Sequence, residues 1–228
     1  MDYNPDHILP SISTDSIIFG LDDDKLKVLL MKRVIEPVGK WSLPGGFVLE
    51  HEDLDIAARR ILDHTTGMNN VYMEQVHTFG EVDRFPGRRV ITVAYYALIN
   101  YTLENLKPGP EASEIHWVDI TQLPELAFDH RHIIDIALVR LQAKVRTEPI
   151  GFELLPAKFT LTQLQRLYEA VLGTAFDTRN FRKKILKMNL LLPLNESQTG
   201  VPHRAARYYS FNNDTYVKLK KKGFTFEL

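Results

Sequence analysis

The chain has 228 residues and no cysteine, which excludes disulfides, thiolate metal ligands and a thiol nucleophile. No apolar run approaches the ~18 residues that a membrane span needs. The first ten residues, Met1 to Pro10, show no basic segment leading into an apolar core, so no secretory signal is expected. There is no internal repeat and no low-complexity tract. A cytoplasmic, reducing setting with no membrane partner is the expectation that these absences leave.

Net charge is also nearly absent, at -1, but its distribution is uneven. From Ala157 to the end there are 13 Lys/Arg against 5 Asp/Glu, while the preceding 156 residues hold 15 against 24. An acidic first part and a basic last third read as two modules with different partners. Basic surface draws polyanions, DNA among them, through phosphate neutralisation and counterion release.

Ser13 to Leu21 and Leu26 to Arg33 read as two strands around the polar turn Asp22-Asp23-Asp24. Trp41-Ser-Leu-Pro-Gly-Gly marks a tight loop. From Glu52 to Thr66 the apolar residues Leu54, Ala57, Ala58, Ile61 and Leu62 recur at helical spacing, and Gly67 is a natural stop. Val71–Val82 and Arg89–Tyr101 are β-rich, Ile115–Ile120 is a short strand, and Asp129–Val145 is a helix with Asp129 as its expected N-cap. Tyr95 and Tyr96 are neighbours on a strand, so one ring belongs to the core and the other is free to face a cavity. The segment Glu148–Lys158, with two prolines and a glycine, is the expected boundary, giving domains of 1–150 and 151–228.

Beyond it, Thr160-Leu-Thr-Gln opens a helix running to Leu172 and has the form of a capping box. A second helix is expected from about Thr178 to Asn189. Its buried stripe is Phe181, Ile185 and Met188, which leaves Arg179, Asn180, Arg182, Lys183, Lys184 and Lys187 for the outer faces. Arginine and asparagine can read guanine and adenine edges in a major groove, and lysines suit phosphates. Short β pieces at Leu190–Leu194 and Ala206–Phe211 flank a basic tip with His203, Arg204 and Arg207, placed to reach phosphates or a minor groove. Helix, helix and basic hairpin make a winged helix-turn-helix. These nine residues form the expected DNA-binding set.

In the first module, Gly46, Glu52, Arg60, Leu62, Gly67 and Met68 fall on the spacing of the Nudix box, preceded by Trp41-Ser-Leu-Pro-Gly-Gly. The segment resembles that family, which implies an α/β/α sandwich with a mixed sheet. The family's other three glutamates fall on Ile61, His64 and Thr65. In active members those carboxylates share one helix face and hold Mg²⁺, a hard cation that takes oxygen ligands. Ile61 offers no ligand, Thr65 a weak one, and His64 prefers softer metals. No metal, cofactor or catalytic residue is therefore expected, and the chain is not expected to be an enzyme.

A Nudix-like domain without its carboxylates, followed by Glu148–Gly173 and Asn180–Asn189, resembles the Nudix-related transcriptional regulators of the NrtR type. The resemblance implies an α+β fold, a homodimer on a palindromic double-stranded operator, and a small effector that is bound without being hydrolysed. Some members answer to ADP-ribose and others to sugars such as arabinose. Asn70–Arg84, Tyr95–Asn100 and Glu148–Leu161 look closer to the carbohydrate group. The expected effector-binding residues are Arg33, Glu36, Gly46, Glu52, Asp83, Arg84, Tyr95 and Asp129. Arg33, Arg84 and Arg88 leave ADP-ribose open, since its phosphates need cations and its adenine an aromatic face. The alternatives are an active Nudix hydrolase with an accessory domain, and an RNA- or protein-binding adaptor.

Overall fold

The structure, a computed structural model, describes residues 8–22, 24–69, 71–100, 106–200 and 205–228. Two compact units are present. One takes the chain up to Gly20 together with Lys27–Arg140, the other Leu21–Leu26 with Leu141 onward.

The first unit is built on a seven-stranded mixed sheet. Its strands are β1 (Ile8–Asp22), β2 (Lys25–Arg33), β3 (Trp41–Ser42), β4 (Gly45–Leu49), β5 (Tyr72–Phe79), β6 (Ile91–Ile99) and β7 (Ala112–Asp119). The path is β3-β2-β1-β6-β5, with β4 paired to β1 and β7 to β2. β1 runs parallel to β6, and the other pairings are antiparallel. β6 is buried on both faces, so it reads as a near-continuous apolar run rather than as alternation.

Helix α1 (Leu54–Thr66) lies on one face of the sheet. Its Leu62 packs with Ile18, Leu29, Ala97 and Ile99, and its Ala58 with Val93 and Tyr95. Gly67 ends it at φ +76°, a left-handed conformation that glycine adopts without strain, and its N–H donates to the Asp63 carbonyl at 2.7 Å. Helix α2 (His130–Thr147) closes the opposite face. Its Ile133, Ile134 and Ala137 are buried, and the His132 ring meets Phe79 edge-on at 5.7 Å. This is the expected sandwich.

In the second unit a 3₁₀ turn (Pro149–Leu154) leads into β8 (Phe159–Thr160), α3 (Leu161–Leu172), α4 (Thr178–Lys187), β9 (Leu191–Ser197), β10 (Arg207–Phe211) and α5 (Asn213–Lys221). The three strands form a sheet in the order β8-β10-β9. The capping box is formed: the Thr160 hydroxyl accepts from the Gln163 amide at 3.2 Å, and the Gln163 side chain accepts from the Thr160 amide at 2.8 Å. Leu164, Leu167, Tyr168 and Val171 are fully buried. The chain is thus a Nudix domain with a mixed sheet followed by a winged-helix domain. No helix among the described residues is long and apolar enough to cross a membrane.

Candidate functional site

A cavity of about 520 Å³ opens in the Nudix domain. Most of it is framed by the middle of β1, the end of β2, β4, α1, the loop before β6 and the start of α2. Arg33, Phe128, Phe85, Arg88 and Phe47 follow one another along its wall. The Arg33 guanidinium lies 5.1 Å from the Phe128 ring centre, Phe128 stacks on Phe85 at 4.8 Å and 18°, and Arg88 lies 5.4 Å from Phe85 and 4.4 Å from Phe47. Cations over aromatic faces are attracted by the ring quadrupole. The same surfaces suit an anionic ligand that carries a flat base. Phe128 sits at φ +54°, unusual for a bulky residue, and this backbone turns its ring toward Arg33.

The floor is a buried ionic network. The Arg84 guanidinium, 3% exposed, makes two hydrogen bonds to Asp129, at 2.9 and 2.8 Å, and lies 3.7 Å from Asp15. Asp15 accepts from the Thr92 hydroxyl at 2.7 Å. His130 Nδ1 accepts from the Leu43 amide at 2.9 Å, and its Nε2 lies 3.7 Å from Asp15. An accepting Nδ1 makes His130 neutral with its proton on Nε2. Burial lowers its pKa in the same direction, against the opposing pull of Asp15 and Asp129. Arg33 reaches the Glu36 carbonyl at 2.5 Å, and its buried Nε has no hydrogen-bond partner among the described residues. Burial depresses the Arg33 pKa, and Glu111 and Asp15 work against that.

Of the expected effector set, Arg33, Glu36, Gly46 and Arg84 line this cavity. The other four sit elsewhere. Glu52 is locked to Arg60 at 2.8 and 2.5 Å and accepts from the Leu49 amide at 2.8 Å, with its side chain fully covered. These donors hold its carboxyl below the usual range against the opposing effect of burial. Asp129, the residue just before α2, stands behind Arg84 and positions it. Tyr95 faces α1 and donates to Asp55 at 2.6 Å, which with burial pushes its hydroxyl pKa up. Its neighbour Tyr96 is buried too and donates to Glu74 at 2.9 Å. Asp83 is exposed on the loop before β6, outside the cavity lining. Sequence reasoning missed Phe47, Phe85, Phe128, His130 and Asp15 as lining residues. The spacing of the Nudix box carries no signal for any of them.

The Nudix fold implies Mg²⁺ on the α1 face, and the residues there do not fit it. Ile61 fills the space beneath Gly46, within 3.3 Å of where a β-carbon would stand on that glycine. The Thr65 hydroxyl is turned back to the Ile61 carbonyl at 2.7 Å. Glu52 is taken up by Arg60. Among the described residues no group of three His, Asp or Glu is placed to hold a metal ion.

In the winged-helix domain, Arg179, Asn180, Arg182, Lys183, Lys184 and Lys187 are all exposed on α4, and Phe181 and Ile185 are buried beneath them. The Asp177 side chain caps α4 by accepting from the Asn180 amide at 2.8 Å. The turn into α4 is held by buried Gln165, whose amide donates to Glu169, the Phe176 carbonyl and Thr178 at 3.0, 3.0 and 3.3 Å. The angle between α3 and α4 is thereby fixed by side-chain bonds. Arg207 is exposed on β10 and donates to the Leu194 carbonyl at 2.8 Å. His203 and Arg204 lie outside the described residues.

Residues 14–136 match the NUDIX domain family, and residues 151–211 match the NrtR DNA-binding winged helix domain. The chain is 34% identical over 217 residues to the ADPR responsive transcriptional repressor NtrR of Acinetobacter baylyi, covering 92% of this chain and 86% of that protein. It is 33% identical over 129 residues to the ADP-ribose pyrophosphatase of Methanocaldococcus jannaschii, covering 56% of this chain and 73% of that one. The crystal structure of Shewanella oneidensis NrtR complexed with a 27mer DNA superposes with a TM-score of 0.77 at 30% identity, covering 94% and 97% of the two chains. The Nudix domain of the same protein complexed with ADP ribose gives 0.53 at 34% identity, covering 61% and 94%. These relatives do not support the expected nearness to carbohydrate regulators, because the repressor that matches along the chain is ADPR responsive.

Proposed function

The chain belongs to the NrtR-type family of Nudix plus winged-helix regulators, and on that premise we propose that it is an ADP-ribose-responsive transcriptional repressor. Its Nudix domain holds ADP-ribose without cleaving it, and its winged helix binds a double-stranded operator as a homodimer in the cytoplasm. The boundary between the two functions is proposed at 150/151. A sugar effector is not part of this reading. The observation that carries it is the cavity: Arg33 and Arg88 set against three phenylalanine rings, with Arg84 in the lining, beside a helix face that lacks its carboxylates. Phosphates take the guanidinium groups and adenine the rings.

Binding DNA and ADP-ribose at separate sites gives a regulator if the two ligands favour different arrangements of the same chain. A dimer reads two half-sites at once and gains avidity over a single winged helix. Residues for DNA are the exposed α4 set with Arg207, His203 and Arg204.

A thermal-shift panel tests the reading. ADP-ribose at 100 times its dissociation constant stabilises the Nudix unit by about 2.7 kcal/mol, with or without Mg²⁺, and arabinose and glucose give no shift. Stabilisation that appears only with added Mg²⁺ contradicts the metal-free site. A shift with pentoses but not ADP-ribose contradicts the effector.

A further inference from the structure

Residues 106–111 cross the C-terminal end of α1 as a strap. The Lys107 amide donates to the Thr66 carbonyl at 3.0 Å, and the Gly109 amide to the Thr65 carbonyl at 3.1 Å. The approach at Gly109 is so close that a β-carbon there would lie 2.4 Å from the His64 carbonyl oxygen and 2.9 Å from the Thr65 Cα. Both are backbone atoms that cannot swing aside. The strap therefore depends on glycine, and it delivers Pro110 and Glu111 into the cavity wall. The Glu111 carbonyl is tied to the Val34 amide at 3.0 Å, so the residue is registered against the end of β2 beside Arg33.

Glu111 is half-buried, and among the described residues no hydrogen bond or ion pair engages its carboxylate. Its charge acts through space on Arg33. Of the other carboxylates near the cavity, Asp15 is engaged by Thr92 and the Arg84 network, Asp129 by Arg84 and Glu52 by Arg60, while Glu36, also in the lining, is exposed rather than half-buried. Polarity along the wall is thus graded. The Phe47–Arg88–Phe85 end is flat and cationic, Arg33 and Phe128 follow, and the far end carries an unengaged acceptor beside Arg33.

We infer that Glu111 is a specificity-determining residue that accepts hydrogen bonds from the vicinal hydroxyls of the sugar beyond the diphosphate. This rests on the ADP-ribose reading and adds an orientation to it. Adenine lies at the Phe47–Arg88–Phe85 end, the diphosphate at Arg33, and the terminal ribose at Glu111. A free carboxylate beside a phosphate site repels a ligand that ends in phosphate and rewards one that ends in hydroxyls. The residue therefore separates ADP-ribose from ADP, which shares every other group.

Calorimetric titration of the full chain with ADP-ribose and with ADP tests this, using the native protein, Glu111→Gln and Glu111→Ala. The native chain binds ADP-ribose more tightly than ADP. Both variants lose at least tenfold in ADP-ribose affinity and bind ADP as well as before or better, so the preference collapses. Equal losses for both nucleotides, or no loss for either, overturn the assignment of Glu111 and leave the effector reading standing. Failure of the native chain to bind either nucleotide overturns the effector reading and the assignment with it. Unchanged unfolding midpoints in the variants, expected for a half-buried carboxylate with no hydrogen-bond partner among the described residues, separate recognition from folding.

Discussion

Changing Arg182 and Lys183 together to alanine weakens operator binding by at least one to two orders of magnitude at near-physiological salt and leaves the fold intact. Both side chains are exposed on α4, and the buried stripe beneath them, Phe181 and Ile185, is untouched. Alanine is the best helix former, so the helix itself does not suffer. Among the described residues the variant loses the 3.2 Å hydrogen bond from Arg182 to the Thr162 hydroxyl, which is exposed. A base-edge arginine contributes about 1–3 kcal/mol of discrimination. Each lysine–phosphate contact removed lowers the steepness of the log affinity against log salt relation by ~0.9. Filter binding across a salt series on native and variant chains reads both effects. Native-like affinity and salt dependence in the variant would mean that α4 is not the reading helix.

Arg84→Met lowers the stability of the Nudix unit by about 3–5 kcal/mol, because it strands the buried carboxylates of Asp129 and Asp15 without their cation. The two hydrogen bonds at 2.8 and 2.9 Å and the 3.7 Å approach to Asp15 all vanish at once. Trp41 and Trp117 are the chain's two tryptophans, and both belong to the first unit, so fluorescence during urea denaturation reports that unit alone. Adding Asp129→Asn recovers part of the loss, since one stranded charge goes with it. ADP-ribose affinity falls as well, because Arg84 lines the cavity. A loss below about 1 kcal/mol would show that water reaches the network and that the pair is surface-like in energy.

The Nudix helix and its loss of ligands are legible in sequence because the box is a fixed-spacing pattern within one segment. Gly46, Glu52, Arg60 and Gly67 keep their register whatever the rest of the chain does. The winged helix is legible for a similar reason: the capping box, the periodic stripe of α4 and the charge of the last third are local. The cavity wall is not. Phe47, Phe85, Arg88, Phe128 and His130 come from three separate segments, and only the tertiary fold brings them together. Tyr95 was expected to be able to face a cavity on strand alternation, but β6 is buried on both faces, so alternation carries no such information there. Asp129 reads locally as a helix cap, and the arginine it holds lies 45 residues upstream. Glu111 has no local signature, and only the strap that Gly109 allows places it.

Gly46 and the loop glycines preserve the architecture of a hydrolase, while Ile61, His64 and Thr65 withhold its chemistry. The similarity to a pyrophosphatase over 129 residues makes the fate of the nucleotide the decisive question. The most direct measurement combines both ends of the chain. A duplex selected from a random pool for binding to the full chain is labelled, and its anisotropy is followed as ADP-ribose is added with Mg²⁺ present. The nucleotide is then recovered by chromatography. The expected result is a roughly 5–150-fold loss of duplex affinity, with ADP-ribose recovered whole. Duplex binding that ignores saturating ADP-ribose, or multiple turnovers to AMP and ribose 5-phosphate, would contradict it.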